Sequence, residues 1–406
     1  MDKLKQFLSN VYESNAFYKN IVTTHGITDP ADINQYPILT REQLQCNKHS
    51  IFSDGFQSEY FLQKLRRQIS SGTSGVPLSV YWNPQAYWRS ILSLWRKRLL
   101  WYGIFPNDKY VRFTLQVLDE KRIKSGLFCE EGNGVLSVCR SFLQDSQTFL
   151  HLLDKIHEYA PVWILIQPFI LSRLVDYYQY YEKMPPSRLK YIEVTGEMFT
   201  AELRQRAEKF FRIPIGNMYG SEEVNGIALE CPYQSMHILE DNVFVEIDNT
   251  KNRGEVIVTN LHNTAMPLIR YAQGDIAEIN NNLVICECGS LSPTITVLKG
   301  RMQNCVESNG VEINSYLLGE TMTSVNNQFR DSVHQYKFRY YVAKKELCCY
   351  ILIRREMMEW KESILTTILN ELEKRIPSKA GVYLNVCEKS QINNYDRKFQ
   401  ILEIID

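Results

Sequence analysis

Between residues 160 and 220 the chain alternates two patterns that cannot share one element. "APVWILI" (160–166) and "LKYIEVTGE" (189–197) are short apolar runs, the pattern of buried strands. Each is followed by helical spacing, in "ILSRLVDYYQYY" and in "TAELRQRAEKFF", the second with Thr200 placed as a cap. "IPIGNMYG" is a further strand that ends in a glycine turn. Strand, helix, strand in repetition needs crossover connections and predicts a parallel sheet in an α/β fold. In such sheets ligands sit beyond the carboxyl ends of the strands. Gly196-Glu197 and the turn "YGSEE" (219–223) fall at those ends.

The pattern changes on both sides of this run. Upstream, Asn83-Pro84 predicts a helix start, Trp88, Ile91, Leu92, Trp95 and Leu99 follow helical spacing, and Gly103 ends it. Arg96-Lys97-Arg98 in that helix reads as a solvated face. From about 236 to 300, "HILEDNVFVEID", "GEVIVTNL", "PLIRYAQGDIAEI" and "LVICEC" read as short strands. After Gly300-Arg301, strands "QYKFRYYVA" and "ELCCYILIRR", an amphipathic helix and "GVYLNVCE" make a small α+β unit, with Cys348 and Cys349 in its core. The expected organisation is a large N-terminal domain (1–302) of mixed parallel sheets with helices, a β-rich subdomain (about 231–300) within it, and a C-terminal α+β domain (303–406), in an α/β fold.

Lys+Arg and Asp+Glu balance at 46 each, so charge gives no case for nucleic acid. No signal peptide or membrane span is legible, and ten cysteines without a secretion signal suggest a reducing compartment, read here as the cytoplasm. Cys231, His237, Cys286 and Cys288 lie in the β-rich stretch. Three thiols and an imidazole suit a closed structural Zn²⁺ site, although buried free cysteines also fit the spacing.

The stretch "SSGTSGVPLSVYW" (70–82) carries small hydroxyls and glycines between two strand candidates. It fits an ordinary turn or a loop curled over an anion. Four segments taken together resemble the adenylate-forming (acyl-CoA synthetase-like) superfamily, on its phenylacetate–CoA ligase and CapK-type branch. They are "SSGTSGVP", "VTGEMFTAELRQRAEKFFRIPIGNMYGSEE", "RGEVIVTNLHNTAMPLIRYAQGDIAEI" and "LKGRMQNCVESNGVEINSYLL".

The resemblance implies ATP-dependent activation of a carboxylic acid, aryl or small acyl, to an acyl-adenylate with release of pyrophosphate. Transfer to coenzyme A, a carrier-protein thiol or an amine would follow. It implies that Ser70, Ser71, Gly72, Thr73, Ser74 and Gly75 hold phosphates, and that Gly196, Glu197, Tyr219, Gly220, Ser221 and Glu222 line the nucleotide. Glu223 would bind Mg²⁺, Asp275 the ribose, and Arg301 would sit near the ribose or hinge. Lys398 would neutralise charge during adenylation, with Gln303 near the pivot. Leu78 stands where the family has Lys, Glu222 where it has Ser or Thr, and Arg397 where it has Gly. Leu78, Glu222 and Gln303, which stands at a hinge position that in the family is commonly Asp or Lys, keep open a non-catalytic nucleotide-binding scaffold. A homodimer is also left open.

Overall fold

The computed structural model describes residues 2–47, 50–69, 78–114, 126–132, 134–139, 143, 146–248, 253–281, 284–299, 305–329, 332–389 and 401–405. The alternation read from the sequence is present as strand Trp163–Ile166, helix Pro168–Tyr180, strand Tyr191–Thr195, helix Ala201–Phe211 and strand Ile215–Ser221. Pro168 sits in the first helical turn, where its missing N–H costs nothing. Thr200 caps the next helix by accepting from the Leu203 N–H at 3.3 Å.

These strands pair in parallel, and Tyr110–Thr114 and Val135–Cys139 continue the parallel half on one side. Strand Phe128–Glu131 closes that edge antiparallel. On the other side Ile215–Ser221 turns into Asn225–Glu230 as a hairpin. Strands Met236–Ile238, Thr294–Lys299, Tyr271–Asn280, Arg253–Asn260 and Val243–Asp248 then extend the same sheet, antiparallel throughout. The β-rich stretch therefore joins the parallel run in one sheet of twelve strands. "LVICEC" is the exception: residues 284–286 lie in a loop, with Val284 and Ile285 exposed.

Helix Pro84–Tyr102 lies on this sheet, capped by Asn83 and ended by Gly103 at φ 65°. Its buried face is Ala86, Ser90, Ser93, Leu94 and Arg98, whereas Trp88, Leu92 and Leu99 point to solvent. The basic run is thus split. Arg96 is exposed, but Arg98 is buried, where its guanidinium meets the buried Glu193 carboxylate at 2.5 and 2.8 Å between the rings of Trp95 and Trp163. A charge run marks a solvated face only where no opposite charge waits under the helix, and Glu193 is 95 residues away in sequence.

The C-terminal part has its own sheet, in the order Tyr383–Glu388, Glu346–Ile353, Val333–Tyr341, Leu402–Ile405. Helices Ser315–Gln328 and Lys361–Arg375 pack on it and on each other. Its core, including Leu318, Phe338, Cys349, Ile368 and Leu402, shares no buried residue with the cores of the large sheet. Cys348 and Cys349 are both buried there, as expected. No helix among the described residues is long and apolar enough to cross a membrane.

Candidate active site and metal centre

The hairpin Ser221–Asn225 carries the "YGSEE" turn at the end of the last parallel strand. Gly220 is required there, because a Cβ would lie 2.5 Å from the Asn225 carbonyl oxygen. Tyr219 donates its hydroxyl hydrogen bond to Asp275 Oδ2 at 2.8 Å. Two residues read separately from the sequence, 56 positions apart, thus meet at one edge of the sheet. A neighbouring carboxylate supports Asp275's strand: the Gly274 N–H, at φ 82°, donates to Glu255 Oε1 at 3.1 Å.

Glu223 is 2% exposed, and its Oε1 takes a 3.3 Å ion pair from Arg41 Nη1. Its second oxygen is buried without a hydrogen-bond partner among the described residues. A buried carboxylate with one oxygen unsatisfied suits a hard cation, which takes oxygen ligands. Arg41 was not legible as a site residue. The chain brings it in by adding Leu39 beside Tyr271: the Leu39 N–H donates to Arg270 and the Ala272 N–H donates to Leu39, at 2.9 and 3.0 Å. Thr40 then caps the short helix Arg41–Cys46 in a capping box with Gln43. The "TREQL" box was visible in sequence; its partner, 182 residues on, was not.

Glu222 points elsewhere than to Arg41. Its Oε2 accepts from Gln68 Nε2 at 3.2 Å, and Gln68 also donates to Asn225. Gln68 belongs to strand Arg66–Ile69, which pairs antiparallel with Ser79–Trp82. Glu222 stays open to water on one side yet is packed round by protein. That packing and the Glu223 charge push its carboxyl above the ordinary range. Leu78 is buried in the large core, so the position where the family carries Lys holds an apolar anchor.

Gly196 takes φ 83° directly after its strand, a conformation that favours glycine. Glu197 Oε2 accepts from the Phe169 N–H at 3.1 Å, at the start of helix Pro168–Tyr180. It satisfies one of that helix's open donors, a role the sequence did not suggest. Ser70, Ser71, Gly72, Thr73, Ser74, Gly75, Arg301, Gln303, Arg397 and Lys398 lie outside the described residues.

The Cys/His set does converge. The ligand atoms of Cys231, His237, Cys286 and Cys288 all lie within 4.8 Å of one another. Cys231 and Cys286 sulfurs are 3.9 Å apart, and Cys288 Sγ is 3.3 Å from His237 Nε2. A tetrahedron with Zn–S bonds of ~2.3 Å has edges of roughly 3.8 Å, so the donor set fits Zn²⁺. Two tight turns present the thiols, with Gln234 N–H on Cys231 and Gly289 N–H on Cys286. His237 Nδ1 lies 3.0 Å from the Ser292 carbonyl, which fixes the N–H there and leaves Nε2 to face the sulfurs. Burial works against the Cys286 thiolate, but hydrogen bonds from the Cys288 backbone, His237, Cys288 and Ser235 outweigh it and hold its pKa at about 6.

No family model matches the chain. It is 22% identical over 294 residues to protein CapK of Staphylococcus aureus, a match covering 70% of this chain and 63% of CapK, less than two thirds of that protein. It is 22% identical over 329 residues to phenylacetate-coenzyme A ligase of Thermus thermophilus, covering 77% of this chain and 72% of the ligase. Among solved structures, 2-hydroxyisobutyryl-CoA ligase in its postadenylation state overlays with a TM-score of 0.77 at 16% identity, over 100% of this chain and 88% of that one. The same ligase in its thioesterification state gives 0.59, over 99% and 88%. As a whole, the chain overlays better on the first. In sequence the chain is thus similar to CapK and to the phenylacetate-coenzyme A ligases, and its fold is that of a CoA ligase.

Proposed function

We propose that the protein activates a carboxylic acid with ATP, forming an acyl-adenylate and pyrophosphate, and passes the acyl group to the thiol of coenzyme A. The observation that supports this reading is the Tyr219–Asp275 hydrogen bond, with Glu223 a few residues past Tyr219 on the same hairpin turn and one of its oxygens without a partner among the described residues. Adenylation brings two anions together, so the site must offset negative charge and align the attack. Asp275 would hold the ribose hydroxyls, Tyr219 would lie along the adenine, and Glu223 would carry Mg²⁺. Bound Mg²⁺ would supply charge neutralisation at the phosphates. With Leu78 turned into the core, that neutralisation falls to the metal, to Arg41 and to the 70–75 loop. Lys398 is proposed as the adenylation lysine of a mobile small domain, on the strength of the sequence resemblance.

For the acid, small acyl and aryl groups are both candidates, and a carrier-protein thiol is the other acceptor to test. The Cys231, His237, Cys286 and Cys288 set is proposed to hold a structural Zn²⁺, since four protein ligands leave no open position for chemistry. A second reading, a nucleotide-binding protein without catalysis, is favoured by Leu78 and by Glu222 standing where the family has a hydroxyl. Mass-spectrometric detection of acyl-AMP and AMP over a panel of small and aryl acids separates the two. Acyl-AMP with any acid supports activation; nucleotide binding without product from any acid supports the scaffold.

A further inference from the structure

The small C-terminal domain meets the large one through polar side chains. Three bridges reach it from two neighbouring helices, Pro168–Tyr180 and Ala201–Phe211. Asp176 Oδ1 accepts from Arg354 Nη2 at 3.0 Å, just past strand Glu346–Ile353. Glu202 Oε1 accepts from Asn326 Nδ2 at 2.8 Å, on helix Ser315–Gln328. With the Gln335 amide turned so that its oxygen faces Arg173, that oxygen accepts from Arg173 Nη1 and Nε at 2.6 and 2.8 Å. These groups are well shielded: Arg354 and Asp176 side chains are 16% and 13% exposed, and Asn326 is buried.

Two of the partners on the large domain, Asp176 and Arg173, keep company of their own. Asp176 Oδ1 also accepts from Arg206 Nη1 at 2.9 Å, and Arg206 is tied to Ser172. Arg173 donates to the Tyr177 hydroxyl at 2.9 Å and lies over the Tyr177 ring. On the small domain, Asn326 both accepts from and donates to the Val333 backbone at 2.9 Å. Separating the two domains would therefore break charge-assisted contacts yet leave Asp176 paired with Arg206 and Arg173 with Tyr177. That is the behaviour of a contact made to be released, whereas a merged apolar core would have to be torn open. The cores of the two domains are in fact separate among the described residues.

We propose that Arg173, Asp176 and Glu202 form a releasable latch that positions the small domain for the first half-reaction, and that Gln335, Arg354 and Asn326 are its counterparts on the small domain. The proposal rests on the acid-activating reading for its kinetics, but not for its geometry. Release of the latch frees the small domain for acyl transfer. The residues act by positioning and touch no substrate.

The test uses the full-length protein carrying Arg354→Glu, which turns the central bridge into a repulsion, with Arg354→Lys as the conservative variant and Asn326→Ala as an independent cut. Hydrogen exchange is read in peptides over 168–180 and 201–211, and small-angle scattering reports the overall extension. The expected result is faster exchange in both helices and a more extended particle for Arg354→Glu, a partial effect for Asn326→Ala, and near-native behaviour for Arg354→Lys. Acyl-AMP formation should fall roughly tenfold or more, as the loss of charged hydrogen bonds implies, while transfer from supplied acyl-AMP to coenzyme A is unchanged. Unchanged exchange and extension in Arg354→Glu and Asn326→Ala overturn the latch. So does an equal fall in both half-reactions. If Arg354→Glu does not fold, Asn326→Ala and Arg354→Gln decide by the same readouts. A wild-type protein that forms no acyl-AMP removes the activation reading, and the latch then stands or falls on the exchange and scattering data alone.

Discussion

Removing Arg41 tests the electrostatics of the site directly. Its guanidinium is 3.3 Å from a Glu223 carboxylate that is 2% exposed, while Arg41 itself is 12% exposed. At an effective dielectric of about 20, a pair at that distance attracts by roughly 5 kcal/mol. Breaking a buried pair by removing one partner costs about 3–5 kcal/mol, because the other charge stays buried and uncompensated. Arg41 keeps some contact with water, so Arg41→Ala is expected to lose about 3 kcal/mol, the lower end of that range. The double variant Arg41→Ala/Glu223→Gln removes the stranded charge and should recover most of the loss. Mg²⁺ should also stabilise Arg41→Ala more than the wild type, since the metal can stand in as the counter-ion of Glu223. Urea denaturation of all four proteins of the cycle, with and without Mg²⁺, provides the numbers. The reasoning is refuted if Arg41→Ala is as stable as the wild type in metal-free buffer. It is equally refuted if the double variant is no more stable than Arg41→Ala.

Three further outcomes are expected. Asp275→Ala should weaken ATP binding by about 1.5–3 kcal/mol, the worth of hydrogen bonds to a charged group, and calorimetry with unchanged affinity would remove Asp275 from the site. The purified protein should carry about one Zn²⁺ per chain, lost on Cys286→Ser with a fall in melting temperature; a folded, unchelated sample without zinc contradicts the assignment. His262 titrates at about 4, held down by burial and by Lys3. Between pH 6.5 and about 4 the unfolded chain takes up a proton there that the folded chain refuses, so stability falls as pH drops through that window and levels below it. His262→Asn should flatten this stretch of a melting-temperature profile, and an unaltered slope would show that another group sets it.

The parallel half of the sheet was legible because each of its strands and helices carries its own local signal. Ile164, Ile166, Val194 and Ile215 are buried where the apolar runs placed them, and Thr200 and Asn83 cap where their side chains suggested. What failed to show was long-range pairing. Nothing around Arg98 announces Glu193, and nothing around Arg41 announces Glu223, because a charge in sequence carries no sign of what it will face. Helix Pro84–Tyr102 misled for a related reason. Its apolar residues follow helical spacing, yet small residues and Arg98 face the sheet, since close approach and a buried pair decide the packing there. The metal cluster was half legible. The thiol types were plain, but only the pairing of Met236–Ile238 with its neighbours brings His237 to Cys288 across 51 positions. Glu197 was read toward a nucleotide, and the structure shows it closing a helix end, a use that spacing does not reveal.

The central claim is that Tyr219, Asp275 and Glu223 belong to a site that joins an acid to AMP. The most direct measurement is exchange of labelled pyrophosphate into ATP, with Mg²⁺, over a panel of carboxylic acids, in the wild type and in Asp275→Ala. The reaction proposed here runs backwards under those conditions. The account therefore predicts exchange that appears only with an acid present and is lost in Asp275→Ala. Binding of ATP with no acid-dependent exchange across the panel would contradict it.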